Sequence, residues 1–428
     1  MSAEQKRSKH LERYAVVNCG QLVTLAGPSR PRTGRELQEL AILKDAAFTV
    51  ANGRIEQVGT YAEIQPLIGD AAILDAEGRS VLPGFVDAHT HIVFGGNRVA
   101  EFEQRVAGKT YQEIAAAGGG ILSTLTHTRN ATQQELVETT SRYAGWFLRG
   151  GTTTIEAKSG YGLTEDSELK ILRVIRDLNE RTPLQLVPTL LAAHAVPPEF
   201  KQDRAAYIAL IVEKIIPIAA SQNLARACDV FCDDHAFTVD EARVILQAAQ
   251  RHGLKLRMHV EQFRADGGAQ LAAELGAETA DHLECTTLVG RNALYKAGVQ
   301  PVLLPASVFA LSRTQYPDAR AMIATGLAPV LATDFNPGSS PTASMPLILA
   351  LAALYMNMLP SEALTAATIN AAASLGLAHE IGSIEAGKRA DFAIHEFTDY
   401  RELAYFLGTP ARPRVFVSGE EVVFQSSS

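Results

Sequence analysis

Between Pro83 and about Glu380, short apolar runs alternate with longer segments of helical composition. The runs cover 84–94, 150–157, 184–193, 227–231, 254–259, 277–283, 298–305 and 328–334. Their lengths suit buried strands, and the stretches 167–180, 204–222, 239–251 and 265–275 suit helices. Such alternation predicts βα units around a parallel sheet. Eight runs over about 300 residues fit a (β/α)8 barrel, which usually takes about 250.

The two ends of the chain follow a different pattern. Residues 14–25, 46–50, 54–59 and 72–82 are expected as short strands, punctuated by Asn52-Gly53 and Glu77-Gly78. Asn-Gly between two such runs is a strong hairpin signal. The last fifty residues repeat this character at 387–394, 414–417 and 421–424. We therefore expect a small sheet domain built from residues 1–82 and 381–428, with the barrel, 83–380, inserted between its halves.

Composition narrows the class. At 428 residues the chain exceeds one ordinary core, and 47% apolar with 20% charged residues describes a globular protein. A formal charge of -8 is modest for this length and gives no reason to expect nucleic acid or an anionic membrane as partner. Cys19, Cys228, Cys232 and Cys285 are too few and scattered for a disulfide framework, which suits a reducing cytoplasm; Cys228 and Cys232 are expected in the core. The opening MSAEQKRSKHLERY lacks the apolar stretch of a signal peptide, and no apolar run approaches the roughly 18 residues of a membrane helix.

In a (β/α)8 barrel the active site lies at the carboxyl ends of the strands. Run one, in LPGFVDAHTHIVF, ends in His89 and His91, two residues apart and hence on one face of a strand. Run three ends in His194, run five in His259, run six in Asp281-His282 and run eight in Asp334; run two ends in Glu156-Ala157-Lys158-Ser159-Gly160-Tyr161-Gly162. Five histidines and an aspartate at strand ends point to a transition-metal site. His10, His127, His252, His379 and His395 stand in polar or helical contexts and are expected in solvent, with His235 outside the site.

Several segments resemble the amidohydrolase superfamily and, more closely, the imidazolonepropionase family of histidine degradation. They are PGFVDAHTH, HTHIVFGGNRVAEF, AAAGGGILSTLTHTR, EAKSGYGLT, LLAAHAVPPEF, HVEQF, ADHLE and ATDFNPGSSPT, spread over most of 80–345. The resemblance implies a (β/α)8 barrel with a composite β-sandwich. It also implies one Zn or Fe ion per chain, a homodimer, and hydrolysis of 4-imidazolone-5-propanoate to N-formimidoyl-L-glutamate. Position by position, His89, His91, His259 and Asp334 match the metal ligands. Arg98, Tyr161, His194, Gln262, Asn336, Gly338 and Ser339 fall on substrate-contacting positions, and His282 beside the reacting water.

The residue types suit that chemistry. Three imidazoles and a carboxylate are too nitrogen-rich for Mg or Ca. Asp334 is placed to shuttle the water's proton to the leaving ring nitrogen, and His282, oriented by Asp281 or another acceptor, to steady the water or the oxyanion. Arg98 offers a planar fork for the propanoate, and Tyr161, in its Gly-Tyr-Gly loop, is placed to close over the ligand. Where some members carry Glu this chain has Gln262, which holds no transferable proton; it joins the catalytic group by holding the ring. A regular strand would set Gln262 opposite His259, so a bend is expected at Val260-Glu261. A cyclic-amidine deaminase is the alternative, against which stand Arg98, Tyr161 and Gln262. A two-metal hydrolase lacks a bridging lysine in run four, and a non-catalytic barrel has no need of a complete ligand set.

Overall fold

Two sheets carry the chain. The computed structural model describes residues 12–109, 113, 119–234, 236–410 and 412–424. The first sheet takes β1 (Arg13–Val23), β2 (Ile42–Ala51), β3 (Arg54–Thr60), β4 (Ala72–Asp75) and β5 (Ser80–Pro83) from the amino-terminal part. The second consists of β6 (Phe85–Asp87), β7 (Thr152–Lys158), β8 (Gln185–Ala193), β9 (Ala227–Cys232), β10 (Lys255–Val260), β11 (Thr279–His282), β12 (Gln300–Leu303) and β13 (Val330–Leu331). The carboxyl-terminal strands β14 (Phe392–Ile394), β15 (Arg414–Val417) and β16 (Glu420–Glu421) return to the first sheet, in the order β16-β15-β14-β5-β1-β2-β3 with β4 on β1.

Each of the eight apolar runs contributes one strand to the second sheet, and all pair in parallel with their sequence neighbours. A parallel bridge between Thr90 and Phe335 joins the first strand's extension to the last. The expected helices lie between the strands, among them Glu165–Asn179, Val239–Arg251 and Gly268–Leu275. The stretch 204–222 is helical but passes through a π-type turn at Ile211–Ile215.

In the sheet built from both ends, Asn52 and Gly53 take positive φ (50° and 75°) and form the hairpin between β2 and β3, as a primed turn requires. The expected strand at 72–82 is two strands, because Glu77 and Gly78 both turn left-handed (57° and 71°). Gly84 joins this sheet to the barrel, and a Cβ there would meet Thr153 Oγ1 at 2.3 Å. No larger residue fits the crossing. Among the described residues no helix is long and apolar enough to cross a membrane.

The small sheet has its own core, in which Phe392 stacks on Phe416 at 4.4 Å and meets Phe48 edge-on at 5.1 Å. Phe392→Ala should therefore lower stability by about 3–5 kcal/mol, read as a shift of the urea unfolding midpoint.

Candidate active site at the barrel seam

The hydrogen bonds that close the barrel run through the predicted ligands. Asp334 N–H donates to His89 O at 3.0 Å, and His91 N–H to Phe335 O at 2.9 Å. At the same end the backbone turns left-handed at Asp334, His282 and Glu261 (φ 54°, 80° and 55°). These bends aim side chains inward where a regular strand would alternate them. Glu261 is the bend expected before Gln262, and Gln262 faces the same cavity as His259.

Three imidazoles and one carboxylate converge there. His91 Nε2 and His259 Nε2 are 3.4 Å apart, and Asp334 Oδ1 lies 3.5 Å from His91 Nε2 and 3.6 Å from His89 Nε2. Atoms bound at about 2.1 Å around one tetrahedral ion stand about 3.4 Å apart, so these spacings are compatible with shared ligation; two triads lie close enough to hold an ion, His89-His91-Asp334 and His89-His259-His282. His89 Nε2 is buried without a hydrogen-bond partner. Burial holds His89 and His91 well below the ordinary imidazole pKa and takes His259 to about 4, so all three are neutral. Neutral nitrogen is the form that binds a metal. The site can hold a metal ion.

Carboxylates behind the candidate ligands set their tautomers. His89 Nδ1 donates to Asp281 Oδ2 at 2.6 Å and His259 Nδ1 to Asp229 Oδ1 at 3.1 Å, which leaves both Nε2 lone pairs facing the cluster. Lys158 Nζ, fully buried, donates to Asp229 Oδ2 at 2.7 Å and Glu156 Oε1 at 2.8 Å and lies 3.7 Å from Asp281 Oδ2. Burial alone would lower Lys158, but Asp229, Glu156 and Asp281 outweigh it and keep the ammonium charged. Lys158, Asp229 and Glu156 received no role from the sequence. Lys158 stood in run two's list of end residues, and only the inward period of two shared with Glu156 could have singled it out.

His282 differs from the other four barrel histidines. Burial lowers it too, but Glu284 Oε1, 3.4 Å from Nδ1, outweighs burial and raises its pKa. The acceptor is thus Glu284, while Asp281, the neighbour expected to orient His282, is committed to His89. Burial pushes Asp334 up to about 6, and the His282 charge pulls against it.

Apart from His89, which is buried beneath, the predicted site residues all line one cavity of about 760 Å³. His194 stacks on His91 (centroids 5.0 Å, 17°), and Tyr161 meets His194 edge-on at 5.4 Å. Arg98 pairs with Glu101 at 2.9 Å, and its guanidinium lies against Gly338, where a Cβ would stand 2.1 Å from Nη1. The Asn336 side chain is engaged within its own loop, accepting from Gly338 N and Ser339 N at 2.8 and 2.7 Å. Gln262 Nε2 reaches Ser307 Oγ at 3.5 Å. Glu261 does not stand in for the missing acid, because it accepts from Thr286 Oγ1 and Ala269 N.

His127, His252 and His379 are exposed as expected. His395 is not: it is 1% exposed, stacked on Phe397 at 4.8 Å, and burial takes it to about 3. It follows the apolar run Phe392–Ile394 of β14 into the interior, a signal the sequence did offer. His10, His235 and part of the AAAGGG segment lie outside the described residues.

A closed barrel with His-x-His after its first strand and Asp after its last defines a class. The profile of the amidohydrolase family matches residues 80–422, and the chain belongs to that family. An imidazolonepropionase of Solibacter usitatus (strain Ellin6076) is 58% identical over 414 residues, covering 96% of this chain and 99% of the relative. One of Geobacillus thermodenitrificans (strain NG80-2) is 46% identical over 408 residues, 94% of this chain and 96% of the relative. Among amidohydrolases, the chain belongs with the imidazolonepropionases. In fold it is similar to E. coli guanine deaminase (TM-score 0.73, 16% identity, 97% of this chain and 100% of that one). It is also similar to 5-methylcytosine deaminase from Klebsiella pneumoniae (TM-score 0.71, 16% identity, 97% and 98%). At that identity the likeness is one of architecture.

Asp281→Asn keeps the shape beside His89 but removes a carboxylate from its Nδ1. Metal retention, read by competition with a chromogenic chelator, should weaken by about 10–100-fold.

Proposed function

We propose that the chain hydrolyses the cyclic amide of 4-imidazolone-5-propanoate to N-formimidoyl-L-glutamate, a step of histidine degradation, with one Zn or Fe ion per chain. One observation supports the choice of substrate: Arg98 and the candidate ligands His91, His259 and Asp334 line the same cavity, so a guanidinium held at Nε by Glu101 would offer its remaining donors to a carboxylate there. His89, His91, His259 and Asp334 would hold the ion. When bound, it lowers the pKa of its water to about 7 and polarises the ring carbonyl.

The chain's own groups do the rest. Arg98 binds the propanoate, with Gly338 leaving room for the guanidinium. Tyr161 and His194 wall the ring, and the Gln262 amide hydrogen-bonds to it. Asn336 and Ser339 shape the loop beside Asp334, Ser339 Oγ lying 3.4 Å from Asp334 Oδ2. Asp334 accepts a proton from the attacking water as its oxygen bonds to the carbonyl carbon. His282, raised by Glu284, donates a hydrogen bond to the oxyanion that develops there. The ring C–N bond then breaks, Asp334 returns the proton to the departing nitrogen, and the former carbonyl becomes the α-carboxylate. The homodimer implied by the resemblance is part of this reading and is checked by light scattering. A cytoplasmic location suits the four free cysteines.

The test is turnover of freshly generated imidazolone propanoate, followed by loss of its ultraviolet absorbance on protein of known metal content. Formimidoylglutamate with about one Zn or Fe per chain supports the proposal; metal without turnover refutes the substrate. Arg98→Ala should raise KM strongly, since a charged hydrogen bond worth about 1.5–3 kcal/mol is lost. Asp334→Asn should abolish turnover while isothermal titration still detects substrate binding; near-normal kcat would refute its role as proton carrier.

A further inference from the structure

The loop 159–163 that carries Tyr161 has its backbone polar groups captured from two sides. Glu168, fully buried in the first turn of the helix Glu165–Asn179, accepts from Gly160 N at 3.0 Å, Gly162 N at 2.7 Å and Leu163 N at 2.7 Å. That turn does not need Glu168 as a cap, because Thr164 already accepts from Ser167 N. On the opposite side Arg129 donates from Nε to Gly162 O at 2.7 Å and from Nη2 to Leu163 O at 3.3 Å, and is itself held by Glu199. A third carbonyl of the loop, Gly160 O, accepts from His194 Nδ1 at 3.0 Å.

The loop cannot relax far from this arrangement. Gly160 and Leu163 have φ of 107° and 52°, a conformation a leucine keeps only where its surroundings over-determine it. Gly162 passes so close to the helix that a Cβ would stand 2.6 Å from the Ser167 carbonyl carbon. One buried carboxylate thus fixes two pocket residues through the backbone: Tyr161 between the glycines, and His194 through Gly160 O. The His194 bond also selects its tautomer. A carbonyl only accepts, so Nδ1 carries the hydrogen and Nε2 is an acceptor.

We infer that Glu168 and Arg129 are positioning residues that clamp this loop, making Tyr161 and His194 a preformed wall for a flat five-membered ring. The inference rests on the proposed substrate. Tyr161 then does not close over the ligand as a flap; it stands in place before binding. Preformed walls reduce the ordering cost of binding, and ring-wall contacts are alike in substrate and transition state. The clamp therefore acts on KM more than on kcat.

The experiment compares metal-loaded wild type with Glu168→Gln and Arg129→Met. Glu168→Gln sets an amide NH2 against backbone donors. Hydrogen exchange at the amides of 160–163 should quicken at least about tenfold and KM rise about tenfold, with a much smaller change in kcat and equal metal content. Unchanged exchange in both variants would overturn the clamp. Faster exchange with an unaltered KM would overturn its part in binding. Should Glu168→Gln fail to fold, Arg129→Met, acting from the part-exposed side, carries the same expectations. A wild type without turnover would refute the substrate assignment alone, and exchange would still decide the clamp.

Discussion

Closing the barrel and assembling the candidate ligand set are one event. The first strand's extension meets the last through Asp334 N–H to His89 O and His91 N–H to Phe335 O. Those two bonds set three of the four candidate ligands at the seam, within 3.5–3.6 Å between Asp334 Oδ1 and the two imidazoles. His259 arrives from the opposite side of the barrel, on β10, and completes the set only when the sheet has curled fully round. A half-formed sheet would hold its imidazoles too far apart to share an ion.

The interior beneath this seam is unusually polar for a barrel core. Glu156, Lys158, Asp229, Arg257 and Asp281 are all buried on inward-facing positions of β7, β9, β10 and β11. Isolated, each charge would be costly there; together they compensate one another and hold imidazoles in a chosen tautomer. Apolar residues of the same volume would pack as well but would leave His89 and His259 free to turn either nitrogen to the ion. The polar layer therefore serves orientation more than stability.

Above the seam lies the cavity shared by the candidate site residues. Asp334 and His282 line it and are the groups to which the proposed mechanism gives the proton and the oxyanion. Tyr161, His194 and Gln262 line the same cavity, and Arg98 lies against Gly338. With glutamine at 262, the proposed mechanism rests on Asp334 and His282, the first shifted upward by burial and the second by Glu284. Glu261, next in sequence, is tied to Thr286 and Ala269.

What the amino-acid sequence determined by itself was whatever depends on local pattern. The eight runs became eight strands, Asn52-Gly53 a hairpin, and the run-end histidines and Asp334 gathered at one end of the barrel, because strand period and turn chemistry are properties of neighbouring residues. The tertiary structure decided the partners. Asp281 adjoins His282 in sequence, yet it bonds to His89 from 192 residues away, while His282 takes Glu284. Lys158 and Glu168 looked like ordinary charged residues until folding buried them among groups from other strands and loops. His395, which follows the apolar run Phe392–Ile394, is buried with it. Burial and pairing depend on which distant segments meet, and no window of neighbouring residues contains that information.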